Sequence, residues 1–227
     1  MDEIIQLKIT LQRSNPAIWR RILVEKNVTF YGLHEIIQIA MGWENCHLFE
    51  FDVNGIRFNQ PEDNFNGDFN DLGLENIEDE DDTDSEEDDE DEMTEFDIND
   101  FKKGDELDAS YVALGQVLTS STKKFTYVYD FGDSWTHEIT IEKFLPVDAK
   151  RDYPVCLAGE NQCPPEDCGG IFGYYNLLEI LKNKKHPEYR SMREWLDGDF
   201  DPTFFEIHEV NNILKLFKVI PENPEDN

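Results

Sequence analysis

The chain has 227 residues, 39% of them hydrophobic, so it is long enough to bury a substantial core. Asp and Glu outnumber Lys and Arg by 51 to 20, and the resulting net charge of −31 disfavours a nucleic-acid partner, because such binding depends on basic side chains that neutralise phosphates. No apolar stretch approaches the roughly 18 residues of a membrane span and no signal peptide is visible, so we expect a cytoplasmic protein with no membrane partner and reduced cysteines.

The first part of the chain predicts two strand hairpins. Apolar and polar residues alternate in each predicted strand, which is typical of strands with one buried face. These strands are 5–11, 18–24, 47–53 and 56–58. Asn15-Pro16 favours a turn between the first pair, and Asn54-Gly55 is typical of a tight turn between the second. Between the hairpins, a helix is predicted from the capping residue Thr29 to about Met41.

Periodic patterns stop between about 61 and 105. The core of this segment, 78–92, reads EDEDDTDSEEDDEDE and holds 13 acidic residues and no basic one. Such a segment cannot bury enough apolar area to offset its chain entropy. We therefore predict a single domain over 1–227 that is interrupted by a disordered acidic insert. A basic protein or a cation is the expected partner of this insert.

Periodicity returns after the insert and indicates further strands and helices. The predicted helices are 112–118, 173–181, 187–196 and 206–218, and the predicted strands are 124–129 and 134–143. Short turns between successive strands favour an antiparallel sheet. The sequence therefore predicts an α+β fold of two layers, with a mostly antiparallel sheet, helices on one face and a helical C-terminal part.

The stretch DFGDSWTH joins the last two predicted strands. Gly132 is expected to have a positive φ in this turn, while Asp130 and Asp133 bond nearby amides. Trp135 and His137 lie two residues apart and should face the core together. One interpretation is a turn followed by a hydrogen-bonded core histidine. The other is a binding pocket that Trp135 also lines, in which the two aspartates and His137 serve as acid/base groups or ligands.

Three cysteines follow within 13 residues: Cys156, Cys163 and Cys168. Together with His137 they can supply the Cys3His ligand set of a structural zinc site, although the spacing differs from the usual pairs of cysteines. Ordinary buried thiols and a disulfide are the alternatives. A second possible site, for a catalytic metal, combines His34 and His47 with nearby Asp or Glu. Gln38 lies one helical turn from His34. The alternative is that these histidines face solvent or lie at a strand end.

The loop CPPEDCGG, residues 163–170, is rich in Pro and Gly and has little apolar area of its own. We predict that it packs against the DFGD turn, which is the nearest aromatic-lined hairpin in the sequence. Glu166 and Asp167 of this loop therefore join the predicted binding residues.

Several long stretches resemble one family. The sequences PAIWRRILVEKNVTFYGLHEIIQIAMGWENCHLFEF, YVYDFGDSWTHEI, YPVCLAGENQCPPEDCGGIFGYYNLLEIL and WLDGDFDPTFFEIHEVN are similar to the plasmid ORF-3-like family, in the right order and over nearly the whole chain except the acidic insert. The resemblance implies an α+β domain in a largely uncharacterised family. Some of its members carry mobile-element passenger or resolvase-like labels.

These observations favour an uncharacterised binding or scaffold module over an enzyme. The first alternative is a metal-dependent enzyme, such as a nucleic-acid hydrolase, that uses Asp130, Asp133 and His137 with the cysteines. The second is a DNA-associated accessory protein of a mobile element. No complete catalytic motif supports either alternative: the letters DFG lack the glycine-rich loop, strand lysine and HRD loop of a kinase.

Overall fold

The computed structural model describes residues 3–60 and 96–217. The strands are β1 (Glu3–Leu11), β2 (Trp19–Glu25), β3 (Phe49–Val53), β4 (Ile56–Asn59), β5 (Glu106–Asp108), β6 (Lys124–Tyr129), β7 (Trp135–Pro146) and β8 (Val155–Glu160). The α-helices are α1 (Phe30–Met41), α2 (Leu114–Val117), α3 (Gly170–Lys182), α4 (Tyr189–Trp195) and α5 (Ile207–Leu214). No helix among the described residues is long and apolar enough to span a membrane.

The strands described form one sheet in the order β5-β4-β3-β6-β7-β1-β2-β8. All neighbours are antiparallel except β4 and β5, which are parallel. The long strands β1 and β7 lie side by side, with Ile9 opposite Ile139 and Leu11 opposite His137. This arrangement confirms the predicted α+β fold with a mostly antiparallel sheet.

The core lies between one face of the sheet and the helices. Helices α1, α3 and α5 contribute Leu33, Tyr174 and Leu214 to the same buried cluster as Leu7 and Phe51 of the sheet. Alternation places every second strand residue on this face, which is why the apolar positions could be read from the sequence. The prediction of helices on one face is confirmed.

Helix α1 begins and ends where its capping residues predict. The Thr29 hydroxyl accepts a hydrogen bond from the Gly32 amide at 3.1 Å. Gly42 ends the helix in the left-handed region with a φ of 95°, where a side chain would be strained. The position of this helix end matters because the chain then passes directly into the loop that carries His47.

Strand β8 was not predicted, because its residues were assigned to the cysteine loop. It pairs antiparallel with β2, with Ile22 opposite Cys156. Its outer edge is covered by Asn211 of α5, whose carboxamide accepts from the Cys156 amide at 2.8 Å and donates to the Cys156 carbonyl at 2.9 Å. A six-residue strand without clear alternation is recognisable only once its partners are known.

The end of the predicted acidic insert belongs to the fold. Residues 96–105 contain a 3-10 turn at Ile98–Asp100, and the amide of Gly104 donates to the Gly55 carbonyl at 2.8 Å. The next residues form β5 beside β4. The predicted limit at about 105 is therefore too late, whereas the predicted disorder of 78–92 lies outside the described residues.

Candidate functional site

The DFGD turn is formed by aspartate rather than by glycine. Asp130 and Ser134 have φ values of 56° and 54°, whereas Gly132 has no positive φ, so that prediction was wrong. Asp130 tolerates the left-handed conformation because its Oδ1 accepts a hydrogen bond from the Gly132 amide at 2.8 Å. This bond fixes the carboxylate and leaves Oδ2 free to face the neighbouring loop.

The DFGD turn and the CPPEDCGG loop meet, as predicted. Asp133 Oδ2 accepts a hydrogen bond from the Gly169 amide at 3.0 Å. Gly170 lies so close that a Cβ on it would be 2.5 Å from the Asp133 carbonyl oxygen, so only glycine fits there. On the other side of the loop, Trp43 Nε1 donates to the Pro164 carbonyl at 3.1 Å.

Three carboxylates surround His47 where these loops meet. Its Nε2 lies 3.3 Å from Asp167 Oδ1, 3.8 Å from Asp130 Oδ2 and 3.9 Å from Glu166 Oε2. The Cys46 sulfur also lies within 4.8 Å of ligand atoms of His47 and Glu166. We call His47, Asp130, Glu166 and Asp167 the His47 site.

Glu166 is oriented by one of its two oxygens. Oε1 accepts hydrogen bonds from the Tyr129 hydroxyl at 3.0 Å and from the Glu44 amide at 2.9 Å. Oε2 is left to face His47. Asp130 divides its oxygens in the same way, so two carboxylates are held in place before any ligand arrives.

The His47 site is buried on one side and open on the other. The side chains of Asp130 and Glu166 are 9% and 14% exposed, His47 is 28% exposed, and Asp167 is 72% exposed. Within residues 3–60 and 96–217, His47 Nε2 and Glu166 Oε2 are buried atoms without a hydrogen-bond partner. Burial raises the pKa of Glu166, against the opposing effect of its two hydrogen bonds.

Trp135 and His137 lie in the core instead of at this site. They are 1% and 0% exposed, and the His137 ring packs against Trp43 and Tyr127. Burial lowers the pKa of His137 to about 3, so the ring is neutral at pH 7. Its two ring nitrogens have no hydrogen-bond partner among the described residues, contrary to the expected hydrogen-bonded histidine.

The predicted cysteine ligands do not converge. Two groups of at least three potential ligand atoms lie within 4.8 Å of one another among the described residues, and neither contains Cys156, Cys163, Cys168 or His137. All four cysteines are free thiols, so no disulfide forms. Burial raises the pKa of Cys168 to about 12 and holds the pKa of Cys163 well above its ordinary value, which favours the protonated thiol in both.

The sequence suggested that His47 acts together with His34, one helical turn from Gln38. In the structure His47 faces the carboxylates, whereas His34 and Gln38 lie elsewhere. His34 and Gln38 are 1% and 2% exposed rather than solvent-facing, and both contact the Tyr127 hydroxyl. Their other polar atoms bond Asn45, two residues before His47. They therefore support the loop that presents His47. Tyr129 was also missed, because a strand tyrosine gives no separate sequence signal.

The chain is similar to proteins without an assigned function. The family model described as plasmid pRiA4b ORF-3-like protein matches residues 3–209. A curated relative, the uncharacterized protein y4hQ of Sinorhizobium fredii, is 30% identical over 214 residues, which is 93% of this chain and 90% of the relative. A crystal structure of the protein of unknown function MM3350 from Methanosarcina mazei Go1 has a TM-score of 0.71 and 30% identity, covering 92% of this chain and 98% of that one.

Proposed function

This chain belongs to the plasmid pRiA4b ORF-3-like family, for which no catalytic function is established, and we propose that it is a metal-binding protein whose His47 site holds a divalent transition-metal ion. One observation carries the proposal: His47 Nε2 and Glu166 Oε2 are both buried, lack hydrogen-bond partners in the part of the chain described, and lie 3.9 Å apart. Buried polar atoms without partners are rare in folded proteins. A cation between them satisfies both.

The distances suit first-row metals. Two donor atoms that each lie about 2.1 Å from an ion are at most about 4.2 Å apart. The three distances from His47 Nε2 to carboxylate oxygens, 3.3, 3.8 and 3.9 Å, all fall within this limit. A neutral imidazole combined with carboxylates is a typical donor set for Zn²⁺.

Two overlapping sets of three donors contain His47. Cys46, His47 and Glu166 lie within 4.8 Å of one another, and so do His47, Asp130 and Asp167. Each set can supply three ligands to one ion, and a tetrahedral ion then keeps a fourth position. The ligand in that position decides whether the ion only binds or, with a water there, serves a metal-dependent enzyme.

Metal titration of chelator-treated protein tests the proposal. We expect calorimetry with Zn²⁺ at physiological ionic strength to show a saturable site in the wild-type protein, and His47→Ala to weaken it at least about 100-fold. His208→Ala is the matched control, because His208 is exposed on α5 and should leave binding unchanged. Equal affinities of the His47→Ala variant and the wild-type protein would exclude the site.

Cobalt substitution distinguishes a site that only binds metal from the site of a metal-dependent enzyme. The absorption spectrum of bound Co²⁺ reports its ligands, so a spectrum that is unchanged by added small anions indicates a closed site that only binds metal. A spectrum that shifts indicates an exchangeable water and favours the metal-dependent enzyme.

A cytoplasmic location and a partner for the acidic insert belong to the same proposal. The acidic composition of 78–92 supports a basic protein or a cation as that partner. The proposed location is supported by the lack of any apolar stretch in the sequence as long as a membrane span.

A further inference from the structure

Arg20 is a buried arginine without a carboxylate partner. It is 2% exposed, whereas the next residue, Arg21, forms an ion pair with Glu142 at 2.7 Å. Within residues 3–60 and 96–217, no acidic side chain forms an ion pair with Arg20. Charged groups are rarely buried without a partner, because desolvation is unfavourable.

The contacts of Arg20 account for part of its guanidinium. Nε donates to the Ala40 carbonyl in the last turn of α1 at 2.7 Å, where the helix dipole is negative. Nη1 donates to the carbonyls of Trp19 and Glu160 at 2.8 and 3.0 Å, and the Phe205 ring lies 4.1 Å from the guanidinium carbon. These bonds use Nε and Nη1, and no hydrogen bond to another described residue uses Nη2, so Nη2 remains for an acceptor.

A cavity of about 220 Å³ lies beside this guanidinium, between the end of α1 and α5. Arg20 is the most buried of the charged residues that line it, and Glu206 and Glu209 lie at the start of α5. The remaining wall is largely apolar and includes Met41, Val210 and Ile213. The cavity therefore presents a deep positive group, two negative groups nearer the surface and an apolar side.

We propose that this cavity binds a small zwitterion of the α-amino acid class with an aliphatic side chain. The ligand carboxylate accepts from Arg20 Nη2 and supplies the missing counter-charge. The ammonium group faces Glu206 and Glu209, and the aliphatic group packs on the apolar side.

The charge pattern excludes simpler ligands. An anion alone would be repelled by the two glutamates, and an amine alone would bring a second positive charge towards Arg20. The volume lies below the roughly 300–1,000 Å³ typical of sites for drug-sized molecules, which restricts the ligand to a small molecule. The site does not depend on the His47 site, so either can fail without the other.

Three probes test the charge pattern by calorimetry: L-leucine, 4-methylpentanoate, which lacks the ammonium group, and 3-methylbutylamine, which lacks the carboxylate. We expect leucine to bind about tenfold more tightly than either analogue, with and without a chelator present. Glu209→Gln should reduce the preference for leucine over 4-methylpentanoate. Failure of leucine to bind, or an amine that binds as tightly as leucine, would overturn the proposal.

A second variant tests the location without disturbing the buried arginine. Ile213 is 51% exposed at the cavity, so Ile213→Trp should fill it and abolish leucine binding while the protein stays folded. Val147→Trp is the matched control, since Val147 is 38% exposed just after β7 and does not line the cavity. Leucine binding that survives Ile213→Trp would show that the ligand binds elsewhere.

Discussion

At the scale of single residues, the His47 site differs from an ordinary ion pair because its members face one another without hydrogen bonds. In both Asp130 and Glu166, one carboxylate oxygen accepts a hydrogen bond that fixes the side chain, and the other oxygen faces His47. Burying the Glu166 carboxylate is unfavourable in the metal-free protein, which raises its pKa. A bound cation reverses this effect, and pH should therefore distinguish the two states.

The pH dependence of stability tests this reasoning at Glu166. Burial raises the pKa of Glu166 above its ordinary 4.5 in the folded protein. The folded protein therefore favours the protonated carboxyl. This contribution to the free energy of unfolding is fully present below the pKa of Glu166 in the unfolded chain, and it is lost as pH rises through the pKa in the folded protein. Glu166→Gln cannot ionise, so thermal unfolding of the metal-free variant should show a smaller loss of stability between about pH 4 and pH 7 than the wild-type protein does.

Zinc provides the complementary measurement at pH 7. It should raise the melting temperature of the wild-type protein more than that of Glu166→Gln, because the variant lacks an anionic ligand. If the metal-free wild-type and Glu166→Gln proteins lose thermal stability equally as pH rises, ionisation of Glu166 does not destabilise the fold.

At the scale of elements, a side chain supplies hydrogen bonds to backbone groups of an edge strand that has no neighbouring strand on its outer side. Strand β8 is the edge of the sheet, and its backbone groups would otherwise be available for pairing with another chain. Asn211 acts as a substitute for a neighbouring strand, since its carboxamide bonds both the amide and the carbonyl of Cys156. This contact also attaches α5, one wall of the Arg20 cavity, to the sheet.

Replacing Asn211 should therefore destabilise the fold. Asn211→Leu leaves both backbone groups of Cys156 without partners, and we expect a loss of about 1–3 kcal/mol in urea unfolding. Asn212→Leu is the matched control, because Asn212 is exposed on the same helix and should change stability little. Equal losses in the two variants would mean that the Asn211 contact adds nothing.

At the scale of the whole molecule, one short segment, 78–92, carries 13 of the 31 net negative charges. The acidic run 78–92 lies between β4 and β5, which are parallel neighbours in the sheet. The parallel pairing of β4 and β5 requires a long connection between them in any case. The run therefore lengthens a connection that the parallel pairing already requires.

Deleting 78–92 should leave folding intact. The connection keeps 20 residues of the range 61–95, enough to return from the end of β4 to the start of β5. We expect a melting temperature near that of the full chain, and weaker, less salt-dependent retention on a basic protein column. A large fall in melting temperature would show that the run contributes to the fold.

The sequence by itself determined the elements whose information is local. The caps of α1 and the alternation of β1, β3 and β7 each follow from neighbouring residues, and the structure confirms them. The contact between the DFGD turn and the cysteine loop also followed from composition, because the loop needed a partner for its backbone.

Only the tertiary structure decided which polar residues face one another. His47, Asp130 and Glu166 are far apart in the chain and meet because β3, β6 and β7 are neighbours and the loop lies across their ends. Cysteine spacing suggested a zinc site, but β8 places Cys156 in the sheet, away from a shared ligand position. A metal or ligand site depends on side-chain directions across several elements, and no local pattern encodes those directions.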